Sequence, residues 1–280
     1  MSVIEYSLFR IKFVKTPQYD LFNTNYLTPR DFFLLSITEK PSAQLQNGYK
    51  WHIGNIEKFS GSTGYFAIGR STITNVSKFD EITGNFLKIE AEESAYTHCI
   101  FNAELGFVGI AKDTNLTAVD SVAKQLEKLL SSSSIICENK IRVEIHPIRD
   151  PQNFLNQIIS ASRVLRFTVT FGLPNPFDAD EYLQKPLSVY LSASEGESGR
   201  TEIQGKKLNK EIIKEVTRST VATGNEASAR IECLDKKQKT IHLKGDSVKR
   251  TYDGEHNPLF VLDDLTDLYH QIRSDGRNQS

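Results

Sequence analysis

Strict alternation of apolar and polar residues is the feature of this chain that most constrains its fold. Residues 163–171 carry Leu165, Phe167 and Val169 at every second position, with charged or hydroxyl side chains between them. The run Gly-Leu-Pro-Asn-Pro at 172–176 then ends the extended segment. Because successive side chains of a strand point to opposite faces, this pattern predicts a strand of an antiparallel sheet with one covered and one polar face.

The first half of the chain is predicted to be a mostly β N-terminal lobe, residues 1–138. Helices are predicted near 117–130 and after Thr28, where Thr occupies the N-cap and Pro29 the first helical position. The serine run at 131–134 is the expected boundary. Period-two patterning predicts strands at 3–14, 49–59, 64–72, 76–90, 96–103 and 106–111.

Residues 139–254 show a different order of elements, namely strand, helix, strand, strand, helix, strand. This order is typical of a ferredoxin-like (split βαβ) unit. The predicted strands are 141–146, 163–171, 187–193 and 227–234. Of the two predicted helices, the first ends near residue 160 and the second spans 206–221. Residues 255–280 are predicted to hold a C-terminal helix for docking or dimerisation. The predicted fold class is therefore α+β with two lobes.

Composition bounds the function without naming it. The chain has 280 residues, a formal net charge of −1 and three widely spaced cysteines, which argues against a disulfide framework. The N-terminus alternates instead of forming an apolar signal core, and no apolar run approaches the length of a membrane span. We therefore expect a cytoplasmic protein without membrane insertion.

Chemical motifs are weak. The run SGSTG at 60–64 lacks the order of a phosphate-binding P-loop and is predicted to be a hairpin loop. The six histidines show no metal-ligand spacing, and Glu232, Asp235 and Lys237 have a spacing unsuited to a nuclease centre. No catalytic residue, metal or cofactor is predicted. Whether the protein is an enzyme is therefore uncertain, and a protein without enzymatic activity is the favoured expectation.

The strongest candidate site is basic. Residues 200–250 contain 13 Lys or Arg against seven Asp or Glu. If Leu208, Ile212 and Val216 face the core, the cations of the helix lie on its opposite face and could follow phosphates. A solvated helix face, neutralised in part by neighbouring glutamates, explains the pattern equally well. The candidate nucleic-acid-binding residues are Lys206, Lys207, Lys210, Lys214, Arg218, Lys236, Lys237 and Lys239.

Three stretches resemble a group of bacterial phage-defence proteins: CIFNAELGFVGIAKD at 99–113, IRVEIHPIRDPQNF at 141–154 and RFTVTFGLPNPFDADEY at 166–182. The group is similar in element order and segment length to the RexA-like phage-exclusion proteins. The resemblance implies a dimeric, non-enzymatic DNA-binding sensor that signals to a partner protein encoded nearby. Two alternatives stay open at this point, an effector nuclease or toxin of a defence system and a module that binds a phage protein.

Overall fold

The computed structural model describes residues 3–15, 27–172, 184–194, 196, 198–253 and 257–273. Its strands are β1 (Val3–Lys15), β2 (Ser42–Gln46), β3 (Tyr49–Lys58), β4 (Thr63–Asp80), β5 (Asn85–Asn102), β6 (Phe107–Ala111), β7 (Ile141–Pro147), β8 (Arg163–Gly172), β9 (Ser198–Gln204), β10 (Ala227–Glu232), β11 (Gln238–His242) and β12 (Lys249–Asp253). Its helices are α1 (Pro29–Thr38), α2 (Val119–Ser131), α3 (Ser134–Glu138), α4 (Gln152–Ser160), α5 (Gln184–Ala193), α6 (Lys210–Ala222) and α7 (Pro258–Arg273). The predicted α+β class is confirmed.

Two antiparallel sheets are formed by the described residues. The larger has the order β12-β1-β6-β5-β4-β3-β2, with β7 also paired to β1. Strand β1 pairs with three others. On one edge it pairs with β12 over residues 3–7 and with β7 over residues 9–15, and on its other edge it pairs with β6. The smaller sheet has the order β11-β10-β8-β9.

The core has two main parts. One face of the large sheet, including the buried Trp51 and Phe66, packs with Leu126 of α2 and with residues of α1 and α3. The second part joins this sheet to the small sheet through residues such as Phe167 of β8 and Leu265 of α7. Helix α7 thus docks on its own chain, where it contacts β5 and α6.

Two buried cations on β1 connect the large sheet to α7 and to the segment that follows α6. Arg10 is fully buried and donates hydrogen bonds to the carbonyl of Leu105 and to the hydroxyl of Tyr269, the latter at 3.1 Å. Lys12 donates to the amide oxygen of Asn225 at 3.1 Å. Buried charges are costly unless hydrogen-bonded, so these contacts fix how β1 sits beneath α7 and the end of α6.

Several features differ from the sequence expectations for residues 139–254. The strand predicted at 187–193 is wrong, because these residues belong to α5. There Ser188 and Leu191 are buried while Val189 and Tyr190 are exposed, which is the spacing of a helix and not of a strand. In addition, β7 pairs with β1 in the large sheet.

The ferredoxin-like arrangement is therefore not confirmed. The domain bounds 1–138, 139–254 and 255–280 stay predictions, although β1 is hydrogen-bonded to strands beyond the first boundary. The corner after Gly172 lies outside the described residues.

A long two-stranded projection extends from the large sheet. The pairing of β3 with β4 ends at Ser71, whereas β4 and β5 continue to pair from Thr72 and Glu93 out to Asp80 and Asn85. We call residues 72–93 the β arm. Its length is about 30 Å at the usual rise per residue.

Among the described residues, no helix combines the length and the apolar character that crossing a membrane would require.

Candidate ligand-binding cleft

The structure places all three of the predicted cations on α6 in intramolecular contacts. The Lys210 ammonium donates to the carbonyl of Ile159 at 2.9 Å and to that of Ala161, at the C-terminal end of α4. Arg218 donates to the carbonyls of Gln271 and Ile272 at the end of α7, at 3.2 and 3.4 Å. Both cations cap helix C-termini, where the backbone carries partial negative charge. Lys214 lies 3.5 Å from the Glu211 carboxylate.

The remaining predicted residues lie in two separate places. Lys206 and Lys207 are exposed in the segment between β9 and α6. Lys236, Lys237 and Lys239 lie in and beside the β10–β11 turn, where Lys237 is 3.4 Å from Asp235 and Lys239 donates to the side chain of Gln157. The eight cations therefore do not form one continuous stripe.

The predicted core face of the basic helix is only partly right. Leu208 and Val216 pack against the core, but Ile212 is 54% exposed, and the buried residues of α6 include Ile213, Thr217 and Thr220. Leu208 precedes the helix, which begins at Lys210. The two buried threonine hydroxyls donate to carbonyls one turn earlier, so polar residues can occupy the packed face.

Other sequence motifs have structural roles. Residues 60–62 connect β3 to β4, and Ser60 accepts hydrogen bonds from the backbone of Ser62 and Thr63; the hairpin loop is confirmed. The Glu232 carboxylate receives a bidentate contact from Arg163 at 2.7 and 2.8 Å. In the part of the chain that the structure describes, no three His, Cys, Asp or Glu side chains converge as metal ligands would.

A polar cleft of about 600 Å³ lies along the free edge of β5. It exists because β6 pairs with β5 only over Cys99–Asn102, after which the chain leaves the sheet at Ala111. We call it the β5 cleft. Its lining residues are Tyr49 of β3, Arg70 and Thr72 of β4, Glu93, Ser94, Ala95, Tyr96 and His98 of β5, and Asp113 and Asn115 beyond β6.

Arg70 is the cation of the β5 cleft. Its guanidinium lies 4.3 Å from the centre of the Tyr49 ring, a cation–π contact. Its Nη2 donates to the carbonyl of Asn115 at 3.2 Å. The turn that presents this carbonyl is fixed by a 2.7 Å hydrogen bond from the Asn115 backbone to Asp113. The guanidinium is thus held in place while carrying more donors than this one described bond uses.

Two rings of β5 stack on each other in the same cleft. Tyr96 and His98 point to one side of the strand, and their rings are parallel within 5° with centroids 5.7 Å apart. Tyr65 meets the His98 ring edge-on at 5.3 Å. Desolvation lowers the pKa of His98 below its ordinary value, although the Asp113 carboxylate opposes this shift. The imidazole is therefore neutral near pH 7 and can both donate and accept.

Gly69 allows the aromatic strand to come close to β4. A Cβ at this position would lie 2.5 Å from the carbonyl oxygen of Ala95 and 2.6 Å from the Cβ of Tyr96. Both atoms belong to or adjoin the β5 backbone and cannot move aside independently. Gly69 therefore helps to set the position of Tyr96.

Sequence reasoning missed this cleft. It treated the histidines and the tyrosines of β5 as ordinary strand residues, and no local motif joins Tyr49, Arg70, Tyr96 and Asp113. The one available signal was the close spacing of Tyr96 and His98, which places both rings on one face of a strand.

A comparison with known proteins gives an informative similarity. No family model matches the chain. The chain is 24% identical over 161 residues to the orotate phosphoribosyltransferase of Staphylococcus epidermidis, and the match covers 52% of this chain and 77% of that enzyme.

This similarity contradicts the functional expectation drawn from the sequence. The related protein is an enzyme and not a DNA-binding defence sensor, so that expectation is wrong, and its two alternatives, the effector nuclease or toxin and the phage-protein-binding module, are overturned with it. The comparisons do not test the resemblance to RexA-like proteins, the homodimer, the cytoplasmic location or a partner encoded nearby, which stay predictions.

Proposed function

We propose that the β5 cleft binds a nucleotide or a phosphorylated nucleotide precursor and that the chain is an enzyme of nucleotide metabolism. The observation that carries the proposal is a cleft along the free edge of β5 that is lined by a fixed guanidinium from one face of the sheet and by an exposed pair of parallel rings from the other. The similarity to an orotate phosphoribosyltransferase supports it, because by its name that enzyme joins a planar heterocycle to a phosphorylated sugar.

Arg70 is suited to the phosphate. A guanidinium is planar, always charged near neutral pH and able to form two parallel hydrogen bonds with phosphate oxygens. The contacts with Tyr49 and Asn115 reduce the freedom that Arg70 would lose when a ligand binds.

Tyr96 and His98 are suited to the heterocycle. Tyr96 is 52% exposed, so one part of its ring is accessible to a ligand. Stacking of a base on an aromatic side chain is worth about 1–3 kcal/mol. Because His98 stacks on one face of the Tyr96 ring, it holds that ring in position for a heterocycle on the other face.

The acidic and hydroxyl groups of the cleft are suited to a sugar. Thr72 and Glu93 are cross-strand partners at the start of the β arm, and Asp113 lines the cleft from the segment after β6. Carboxylates accept hydrogen bonds from hydroxyl groups. The volume of about 600 Å³ is within the range of roughly 300–1,000 Å³ usual for small-ligand sites.

Binding can be tested by isothermal titration calorimetry with orotate, uridine monophosphate, orotidine monophosphate and inorganic phosphate. We expect Arg70→Gln to reduce the affinity for the phosphorylated ligands at least tenfold. Tyr96→Leu should reduce the affinity for ligands that contain the heterocycle about tenfold. Arg30→Gln and Tyr190→Leu are matched controls, because both residues lie outside the cleft: Arg30 is partly exposed and paired with Glu104, and Tyr190 is exposed. Wild-type affinity in Arg70→Gln, or no binding by the unaltered chain at millimolar ligand, would refute the proposal.

Catalysis needs a separate assay. The chain would be mixed with orotate, an activated phosphoribosyl donor and Mg²⁺, and loss of orotate followed by its absorbance. Turnover that is lost in Arg70→Gln and kept in Arg30→Gln would support an enzyme acting through the β5 cleft. Binding without turnover would contradict this reaction while leaving the ligand class in place.

A further inference from the structure

The β arm exposes more apolar surface than a solvated projection requires. Phe79 and Phe86 are cross-strand partners whose rings lie 5.1 Å apart, and they are 49% and 77% exposed. Ile82 at the tip is 96% exposed. Two-stranded hairpins are at best marginally stable alone in water, and contiguous apolar patches of this kind mark interaction surfaces.

The tip of the arm is well ordered by local hydrogen bonds. The Asp80 carboxylate accepts from the Ile82 backbone at 3.0 Å and from the Thr83 hydroxyl at 2.7 Å. The backbone of Gly84 closes the turn onto the Asp80 carbonyl at 2.8 Å, with a positive φ of 70°. The exposed Ile82 is therefore presented by a built turn, which lowers the ordering cost of a contact.

An apolar groove of about 270 Å³ lies elsewhere on the chain, between α6 and the small sheet. We call it the α6 groove. Two of its lining residues, Ile203 and Ile212, are about half exposed. The others that supply its apolar wall are Phe167, Val169, Leu208 and Val216.

Charge distinguishes the possible partners of these two surfaces. The β arm contains five acidic and two basic residues, whereas residues 198–216 around the groove contain five basic and three acidic residues. Two arms brought side by side would repel each other, while an arm brought to a groove would be attracted. Glu81 directly precedes Ile82, and Lys207 directly precedes Leu208 of the groove; both charged residues are exposed.

We propose that the tip of the β arm docks in the α6 groove of a second copy of this chain, reciprocally, in a two-fold dimer. In such a dimer each arm occupies the groove of the other copy, so no arm or groove is left to bind a third chain. Aromatic side chains bury about 150–250 Å² each, so the tip supplies on the order of 400 Å². Two tips and two grooves then bury about 1,600 Å², the size of a standard specific interface.

The first test is the oligomeric state of the full chain at tens of micromolar, measured by sedimentation equilibrium. The unaltered chain should be a dimer and Ile82→Asp a monomer. Leu234→Asp is the matched control, since Leu234 is 84% exposed at the tip of a different hairpin; it should stay dimeric. A monomeric unaltered chain, or a dimer in Ile82→Asp, would overturn the proposal.

The second test uses charge-reversal substitutions, singly and together, to ask whether the arm docks in the groove. Glu81→Lys and Lys207→Glu should each raise the dimer dissociation constant about tenfold, because each substitution acts at both contacts of the dimer. The double variant restores opposite charges and should return to within about twofold of the unaltered chain. Additive weakening in the double variant would show that the arm docks elsewhere and would overturn the assignment of the groove.

Discussion

Lys210 should stabilise the fold through the end of α4 rather than serve a ligand. Lys210→Met removes the ammonium that donates to the carbonyls of Ile159 and Ala161 while keeping most of the aliphatic stem. A hydrogen bond to a charged group contributes about 1.5–3 kcal/mol, and a cation at a helix C-terminus about 0.3–1 kcal/mol. Because Lys210 is only half-buried, solvent screens both contributions, and we expect a loss of about 1.5 kcal/mol in the free energy of unfolding.

Lys206→Met is the matched control, because Lys207 belongs to the proposed dimer contact. Lys206 is exposed four residues earlier and makes no hydrogen bond or ion pair described for this chain. Its replacement should change the free energy of unfolding by less than about 0.5 kcal/mol.

Urea titrations followed by far-UV circular dichroism would measure both variants, and thermal melts should show Lys210→Met lower by about 3–6 °C. Equal stability of the two variants would refute the assignment of Lys210 as a helix cap. A large loss in Lys206→Met with none in Lys210→Met would also contradict the assignment.

Two further predictions concern other elements. Gly69→Ala should lower the free energy of unfolding by about 1–3 kcal/mol, because the added Cβ meets the backbone at Tyr96; Gly54→Ala, where a Cβ meets open space, should change much less in the same urea titration. Thr28→Ala should cost about 1 kcal/mol at pH 7 by removing the N-cap of α1. Hydrogen bonds from Thr28 lower the pKa of Asp31, so this stabilisation is complete above the ordinary carboxyl pKa and is lost as the pH falls through the lowered value. The difference between Thr28→Ala and the unaltered chain should therefore shrink in acid, and a constant difference from pH 7 to pH 2 would contradict the role of Asp31.

Local elements could be predicted from the sequence where the local signal and the packing agree. Thr28 and Pro29 mark the start of α1, and Asp31 completes a capping box there. Trp51 and Ile53 share a buried face of β3, as their spacing indicates. In both cases the residues that decide the structure are close together in the chain.

Packing overrode the local signal in α5 and α6. Residues 187–193 alternate like a strand, yet Ser188 and Leu191 are the buried pair. In α6 the buried Thr217 and Thr220 satisfy their hydroxyls within the helix, so hydrophobicity alone does not identify the whole buried face. The partners that bury these residues lie on other elements, namely β8 and β9 for α5 and β8, α4 and α7 for α6.

The β5 cleft could not be predicted for a related reason. Its arginine, its ring pair and its acidic wall lie on three strands and one loop, and they meet only because of the register of β3, β4 and β5. A single sequence does not specify that register. The early end of β6 at Ala111, which opens the cleft, is equally invisible in composition or spacing.

The position of β1 has a consequence for biosynthesis. Val3 pairs with Asp253. During synthesis, the start of β1 is therefore complete some 250 residues before its partner strand β12 exists. At about 5–20 residues per second, this interval is roughly 12–50 s. During that time the edge of β1 that later holds β12 is open to other extended chains. Strands β2 to β6 pair with their neighbours in the chain, whereas the described pairings of β1 join distant parts of the sequence. These pairings of β1 therefore form slowly, and this edge stays open until β12 has been made.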